Sequence, residues 1–206
     1  MENIFTDIYE KKVWGDNKNS NYNGSSGGGS DIEYNKNTYI PFLREYIVKN
    51  GIKSVVDLGC GDFKCGNLIY NDLNVEYTGY DTYKKVVESN SNNKYNFPCI
   101  FKHLDFYNNK EEIVEADMCI IKDVLQHWSN KSIYTFLDYL TSSKKYKFIL
   151  ICNCSNQNQD YNEVYNEETH DGGSRPLNTS FLPLKKYNIT REYVYNTKEV
   201  SIIKTI

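Results

Sequence analysis

The sequence predicts an α/β fold in which a mostly parallel sheet, with helices on both faces, ends in an antiparallel hairpin. Three observations carry this. Apolar β-rich runs alternate with helical periodicities from residue 37 to 152, the pattern of successive βαβ units. The first of these runs breaks into a glycine turn directly after an aspartate, "SVVDLGCGDFKCG" at 54–66. The chain then closes with two β-rich runs around "NTKE", the sign of a hairpin.

Taken in order, Asn37 to Lys49 places Ile40, Leu43, Ile47 and Val48 at three- and four-residue spacings, which predicts an amphipathic helix. Lys53 to Leu58 is a buried strand, followed by the glycine turn and a helix from about Asp62 to Tyr70. Val75 to Tyr80 is a second strand, Tyr83 to Ser89 a helix, Cys99 to Leu104 a third strand and Met118 to Ile121 a fourth. Ser132 to Leu140 sets Ile133, Phe136, Leu137 and Leu140 on one helical face, and Lys147 to Cys152 is a fifth strand. After Asn153 comes the polar segment "NCSNQNQDYNEVYNEETHDGGSRPLN", and a loop of that length in a compact domain is functional or disordered. Ile189 to Tyr195 and Val200 to Ile206 form the hairpin. Ahead of all these, "NYNGSSGGGSD" at 21–31 has the composition of a flexible linker.

A length of 206 residues suits one domain over 1–206 that buries its own core. No run approaches the ~18 apolar residues of a membrane span, and "MENIFTDIYEKKVWG" has no unbroken apolar core of a signal peptide. The expectation is a soluble, cytoplasmic chain without a membrane partner. Six scattered cysteines fit reduced core residues. Neither Cys60 with Cys65 nor Cys152 with Cys154 makes a paired C-x-x-C, so no metal is expected. A net charge of −3 argues against nucleic acid as a partner. Nineteen tyrosines, with frequent Asn, Lys and Ile, suggest an AT-rich bacterial or viral genome.

Three ligands compete for the glycine turn. A phosphate loop closes on Gly-Lys-Ser/Thr, and "GCGDFKCG" does not. A dinucleotide fingerprint needs a third glycine where Lys64 stands. What remains is an acid at the strand end followed by Gly-x-Gly, here Asp57, Gly59 and Gly61, which fits S-adenosylmethionine. Asp81, 20 residues after Gly61 in "YTGYD", stands where a carboxylate accepts both ribose hydroxyls. Asp105 in "HLDF" stands where one takes the adenine amino hydrogens, with Phe106 beside the ring.

With these residues in place, the chain resembles the class I S-adenosylmethionine-dependent methyltransferases over about residues 40–206, through "VVDLGCGDF", "YTGYD" and "ADMCIIKDVLQHW". More narrowly it is similar to small bacterial and giant-virus methyltransferases associated with glycan loci. Their F-x-D-I-Y, W-G and S-G-x-G-S elements correspond to Phe5, Asp7, Ile8, Tyr9, Trp14, Gly15, Ser26, Gly27, Gly29 and Ser30, and their R-P-x-N to Arg175–Asn178. The resemblance implies a Rossmann-like seven-stranded sheet, with 1–36 as a native cover segment, 37–206 as the core and 153–185 as an acceptor-side loop. It also extends the cofactor set to Trp14, Gly15, Cys60, Asp62, Phe63 and Lys122. An aromatic often precedes the late arginine in that group, where Ser174 stands here, and another often follows the first motif, near Lys64 and Cys65.

Methyl transfer to a hydroxyl requires alignment, exclusion of water and removal of a proton. Asp123 and His127 in "KDVLQHW" stand four residues apart, one helical turn. This predicts His127 as general base and Asp123 as its orienting partner, raising the imidazole pKa. His170 is the reserve base and His103 is structural. In the late loop Asp160, His170 and Asn178 suit a polyhydroxyl acceptor, and Arg175 suits its carboxylate or phosphate, a surface salt bridge being the plainer role for that arginine. The function expected is O-methylation of a sugar, as a glycan or nucleotide-sugar. RNA or protein methylation is the second reading, and an inactive cofactor-binding subunit the third.

Overall fold

The computed structural model describes residues 1–17, 22–155 and 165–205. They divide into two compact units, Met1–Ile113 and Val114–Ile206. The first contains helices α1 (Glu2–Glu10), α2 (Ile32–Asn35), α3 (Tyr39–Lys49), α4 (Gly66–Tyr70) and α5 (Lys84–Asn92), with strands β1 (Ser54–Leu58), β2 (Glu76–Asp81) and β3 (Cys99–His103). The second contains β4 (Ala116–Lys122), helix α6 (Asn130–Ser143), β5 (Tyr146–Cys154), β6 (Ile189–Tyr195) and β7 (Lys198–Lys204).

In the first unit the strand order is β3-β2-β1, all parallel, with Asp57 opposite Gly79 and Asp81 opposite His103. Val55, Val56 and Leu58 are buried, as expected of a strand covered on both faces. Helix α3 buries Tyr39, Ile40, Leu43, Tyr46 and Ile47, whereas Val48, expected on that face, is exposed. Arg44 on α3 donates to the carbonyls of Leu68 (3.2 Å) and Ile69 (2.8 Å), taking up orphan acceptors near the end of α4.

Helix α4 begins four residues later than the sequence predicts, for a local reason. Phe63 has φ 51°, outside the helical region. Its ring packs among Tyr70, Tyr77, Tyr95, Phe97 and Phe101, and a Cβ on Gly66 would lie 2.1 Å from that ring. The chain therefore turns at 62–65, and the helix starts at the residue that leaves room for Phe63.

In the second unit the order is β4-β5-β7-β6. β4 and β5 are parallel, β7 is antiparallel to β5, and β6 is antiparallel to β7 with an irregularity between Arg191 and Tyr193. With Asn196 at φ 50°, the hairpin turns between Tyr195 and Lys198. The Ser129 side chain accepts from the Ser132 amide at the start of α6, whose Ile133, Phe136, Leu137 and Leu140 are buried. Together these are the seven strands of a mostly parallel sheet finished by an antiparallel hairpin.

Candidate active site

In the first unit the glycine turn is a left-handed loop, with Gly59 at φ 80° and Gly61 at φ 54°. The amides of Gly59 and Cys60 both donate to the carbonyl of Tyr80 (2.8 and 3.0 Å). Asp81, buried at the tip of β2, explains the 20-residue spacing: one carboxylate oxygen accepts from the Gly61 amide and the other from the Tyr83 amide, both at 2.9 Å. Burial pushes the Asp81 pKa up despite these amides. Burial, with Asp81 and Asp57 nearby, also pushes the Cys60 thiol well up.

The residues of 22–31 fold against this loop. Ser26 Oγ lies 2.8 Å from Tyr9 Oη and accepts from the Asp62 amide at 2.8 Å. A Cβ on Gly61 would lie 2.6 Å from that same oxygen. Lys64 pairs with Asp31 (2.9 Å) and Asp62 (3.0 Å). Asp62 Oδ1 is buried without a hydrogen-bond partner among the described residues. Tyr9 stacks on Tyr83 (ring centroids 4.4 Å), and Trp14 meets the Tyr9 ring edge-on (5.6 Å). Gly15, at φ 117°, follows Trp14. A stretch with linker composition is thus ordered against the first motif.

Asp57 and Asp105 stand at strand ends as expected, each with partners in the fold. Asp57 accepts from Tyr77 Oη at 2.8 Å. Asp105 accepts from the Glu2 amide (3.0 Å), the Met1 amino group (3.1 Å) and Asn108 Nδ2 (2.8 Å). Burial would raise its pKa, but the Glu2 amide and the Asn108 side chain outweigh that and hold the carboxyl below its usual range. Phe106 is buried beside it in sequence, whereas Phe63 gives its ring to the aromatic cluster.

In the second unit β4 ends at Lys122, and Asp123 follows in the left-handed region at φ 59°. Its carboxylate lies between Lys122 Nζ (2.6 Å) and Lys198 Nζ. Burial opposes ionisation there, yet the two ammonium groups hold the Asp123 pKa at about 2. Cys152, also buried, is pushed up to about 11, by desolvation first and Asp123 second.

His127 ends a 3₁₀ turn, Leu125–His127. The expected α-helical turn joining it to Asp123 is absent, because Asp123 is left-handed and its oxygens are taken by the lysines. The ring is buried, with Nδ1 2.8 Å from the Gly173 carbonyl and Nε2 3.3 Å from Gln126 Nε2. Its pKa is lowered, against the sequence expectation: burial outweighs the Gly173 carbonyl and Asp123.

Arg175 is neither a surface salt bridge nor an open clamp. It is buried, donating to the carbonyls of Glu167 (2.5 Å) and Gln126 (3.3 Å) and to Asn130 Oδ1 (2.8 Å). Asn178 is buried too, its Oδ1 accepting from the Ser180 amide (2.8 Å) and Arg191 (3.2 Å). His170 is exposed, and Asp160 lies outside the described residues. Sequence reasoning missed Lys198, Gln126 and Asp171. Asp171 accepts from the Ser129 amide (2.8 Å) and Ser132 Oγ (3.0 Å) at the start of α6. Among the described residues no cluster of three or more metal-ligating side chains occurs, and no helix is long and apolar enough to cross a membrane.

The architecture is the Rossmann-like fold of methyltransferases. The chain is similar to magnesium protoporphyrin IX methyltransferase from Synechocystis PCC 6803, solved with bound S-adenosylmethionine (TM-score 0.62, 14% identity, 98% of this chain and 96% of that one). It is also similar to the methyltransferase domain of bacterial CtHen1 (0.61, 13%, 80% and 96%). A third similar structure is human N-acetylserotonin methyltransferase in complex with S-adenosylmethionine (0.58, 15%, 81% and 54%), of which this chain spans about half the length. No sequence family and no curated protein matches the chain.

Proposed function

We propose that the protein transfers a methyl group from S-adenosylmethionine to a hydroxyl of a small sugar acceptor, free, nucleotide-linked or part of a glycan. One observation carries the cofactor assignment: a left-handed Gly59–Gly61 loop tied to a buried carboxylate, Asp81, at the tip of the next strand, in a fold whose solved neighbours include S-adenosylmethionine complexes. The residues fit the group. Asp81 can take ribose hydroxyls, since a carboxylate offers about four acceptor sites, and Asp62 Oδ1 supplies a buried acceptor in want of a donor. Asp57 and Phe106 complete the set, and Trp14, Gly15 and residues 22–31 with Ser26 serve as its cover.

When bound, the cofactor supplies a methyl carbon activated by a sulfonium, so the protein has to align it, exclude water and remove the acceptor proton. His127 suits the last task because burial keeps it neutral near pH 7. The exposed Glu167, Glu168 and His170 offer acceptors and donors for sugar hydroxyls.

The test has two arms. Titration calorimetry should give S-adenosylmethionine binding that Asp81→Ala weakens by about 1 to 3 kcal/mol; equal affinity in a folded variant removes Asp81 from the site. A screen of nucleotide sugars for S-adenosylhomocysteine release should return a salt-insensitive acceptor, whereas turnover only on RNA or protein overturns the sugar assignment.

A further inference from the structure

The end of β5 and the 172–175 loop hold the Gln126–His127 dipeptide from both sides. The Cys154 amide at the end of β5 donates to Gln126 Oε1 at 2.7 Å. A backbone amide can only donate, so the oxygen of the Gln126 side chain faces β5 and its NH2 faces His127 Nε2, 3.3 Å away. On the other ring nitrogen, the Gly173 carbonyl at 2.8 Å can only accept, so Nδ1 carries the hydrogen. Further bonds fix the backbone: the Gln126 amide donates to Asn153 Oδ1 (3.3 Å), the Arg175 amide to the Gln126 carbonyl (3.1 Å) and the Gly172 amide to the His127 carbonyl (2.8 Å).

We infer that Gln126 is a positioning residue that fixes the tautomer of His127, keeping the proton on Nδ1 and the lone pair on Nε2. The chain of donors runs in one direction, from Cys154 N–H through the Gln126 amide to His127 and on to Gly173. A proton on Nε2 would set N–H against N–H across 3.3 Å, so Gln126 opposes the imidazolium in the resting protein. This deepens, and rests on, the reading of His127 as general base. In turnover the acceptor hydroxyl replaces the Gln126 amide at Nε2. With the cofactor held, the hydroxyl proton would pass to that nitrogen as the oxygen's electron pair formed the bond to the methyl carbon and the methyl–sulfur bond broke, its pair staying on sulfur in the leaving S-adenosylhomocysteine. Among the described residues, Asp123 favours protonation of His127, and Lys198 and Arg175 oppose it. All three remain in the variants below.

The experiment is nitrogen NMR on the full chain labelled at histidine, with the three histidines assigned through His103→Gln and His170→Gln. The wild type should show His127 protonated at Nδ1 and bare at Nε2 at neutral pH. Gln126→Glu keeps an acceptor for the Cys154 amide and places a carboxylate against Nε2, so the His127 midpoint should rise by about 1 to 3 pH units. Gln126→Met removes the facing donor but keeps the Gly173 carbonyl on Nδ1, so it should give a smaller rise in the midpoint and a larger Nε2–H fraction than the wild type, with Nδ1–H still the major form. An Nε2–H tautomer in the wild type overturns the inference, and so does a folded Gln126→Glu protein with an unchanged midpoint. If Gln126→Glu does not fold, the wild-type tautomer and Gln126→Met decide. Variants that move the titration while kcat of His127→Ala stays at wild type uphold the tautomer assignment and remove the base assignment.

Discussion

Asp123 sits at φ 59° with its carboxylate between Lys122 and Lys198, and burial makes that arrangement matter. The unfolded chain takes up a proton here near pH 4, whereas the folded chain refuses it until about pH 2. The depressed carboxylate therefore adds stability above pH 4 that is lost as pH falls towards 2, on the order of 2 kcal/mol. Removing the charge at neutral pH is costlier, because two ammonium groups keep their burial and lose their shared partner. Asp123→Asn should cost about 3 to 5 kcal/mol by urea unfolding at pH 7, and Asp123→Asn with Lys198→Met should recover part of it. A loss under about 1 kcal/mol would mean the lysines are solvated without Asp123.

Helix α1 depends on a residue more than a hundred positions away, since Asp105 accepts the Glu2 amide at the first turn. Orphan amides at a helix start favour such an acceptor. Asp105→Ala should therefore cost about 0.5 to 2 kcal/mol and speed amide hydrogen exchange across Glu2–Glu10 while the amides of β4 keep their protection. Uniform acceleration would show that α1 has no separate stability. The seven strands were legible because apolar, β-branched runs bounded by turns are a local signal. The helix starts were less so. α4 waits for Gly66 because of where the Phe63 ring goes, and the α1 acceptor is supplied from beyond β3. The stretch 21–31 reads as a linker because serine and glycine carry no periodicity, whereas the order of 22–31 comes from Ser26 contacts to Tyr9 and Asp62.

For the molecule as a whole, the positions of the candidate site were easier to read than its partners. Asp57, Asp81 and Asp105 could be placed because each ends a strand or follows one, but the Tyr77 hydroxyl on Asp57 and helix α1 on Asp105 are long-range contacts without a sequence pattern. Lys198, a lone lysine after a hairpin turn, gave no sign of burial against Asp123. Arg175 looked like a ligand clamp and instead ties the late loop to the turn before α6. These contacts alter the expected pH dependence of turnover. With Asp123 engaged by lysines and His127 desolvated, the imidazole pKa falls below the ordinary histidine value. A general base works in its neutral form, so kcat should be flat through neutral pH and decline only in acid, with its midpoint below the usual histidine range. Asp123→Asn should move that midpoint lower, because the Asp123 charge favours the imidazolium and its removal leaves Lys198 opposing it. His127→Ala should leave cofactor affinity and fold intact and lower kcat by roughly 100- to 10,000-fold. The measurement is a pH–rate profile with a confirmed sugar acceptor for wild type and both variants, calorimetry providing the cofactor control. A midpoint at or above the ordinary histidine value would show that His127 is solvated during turnover. An unchanged profile in His127→Ala would assign the proton to another group, and the exposed His170 would be tested next.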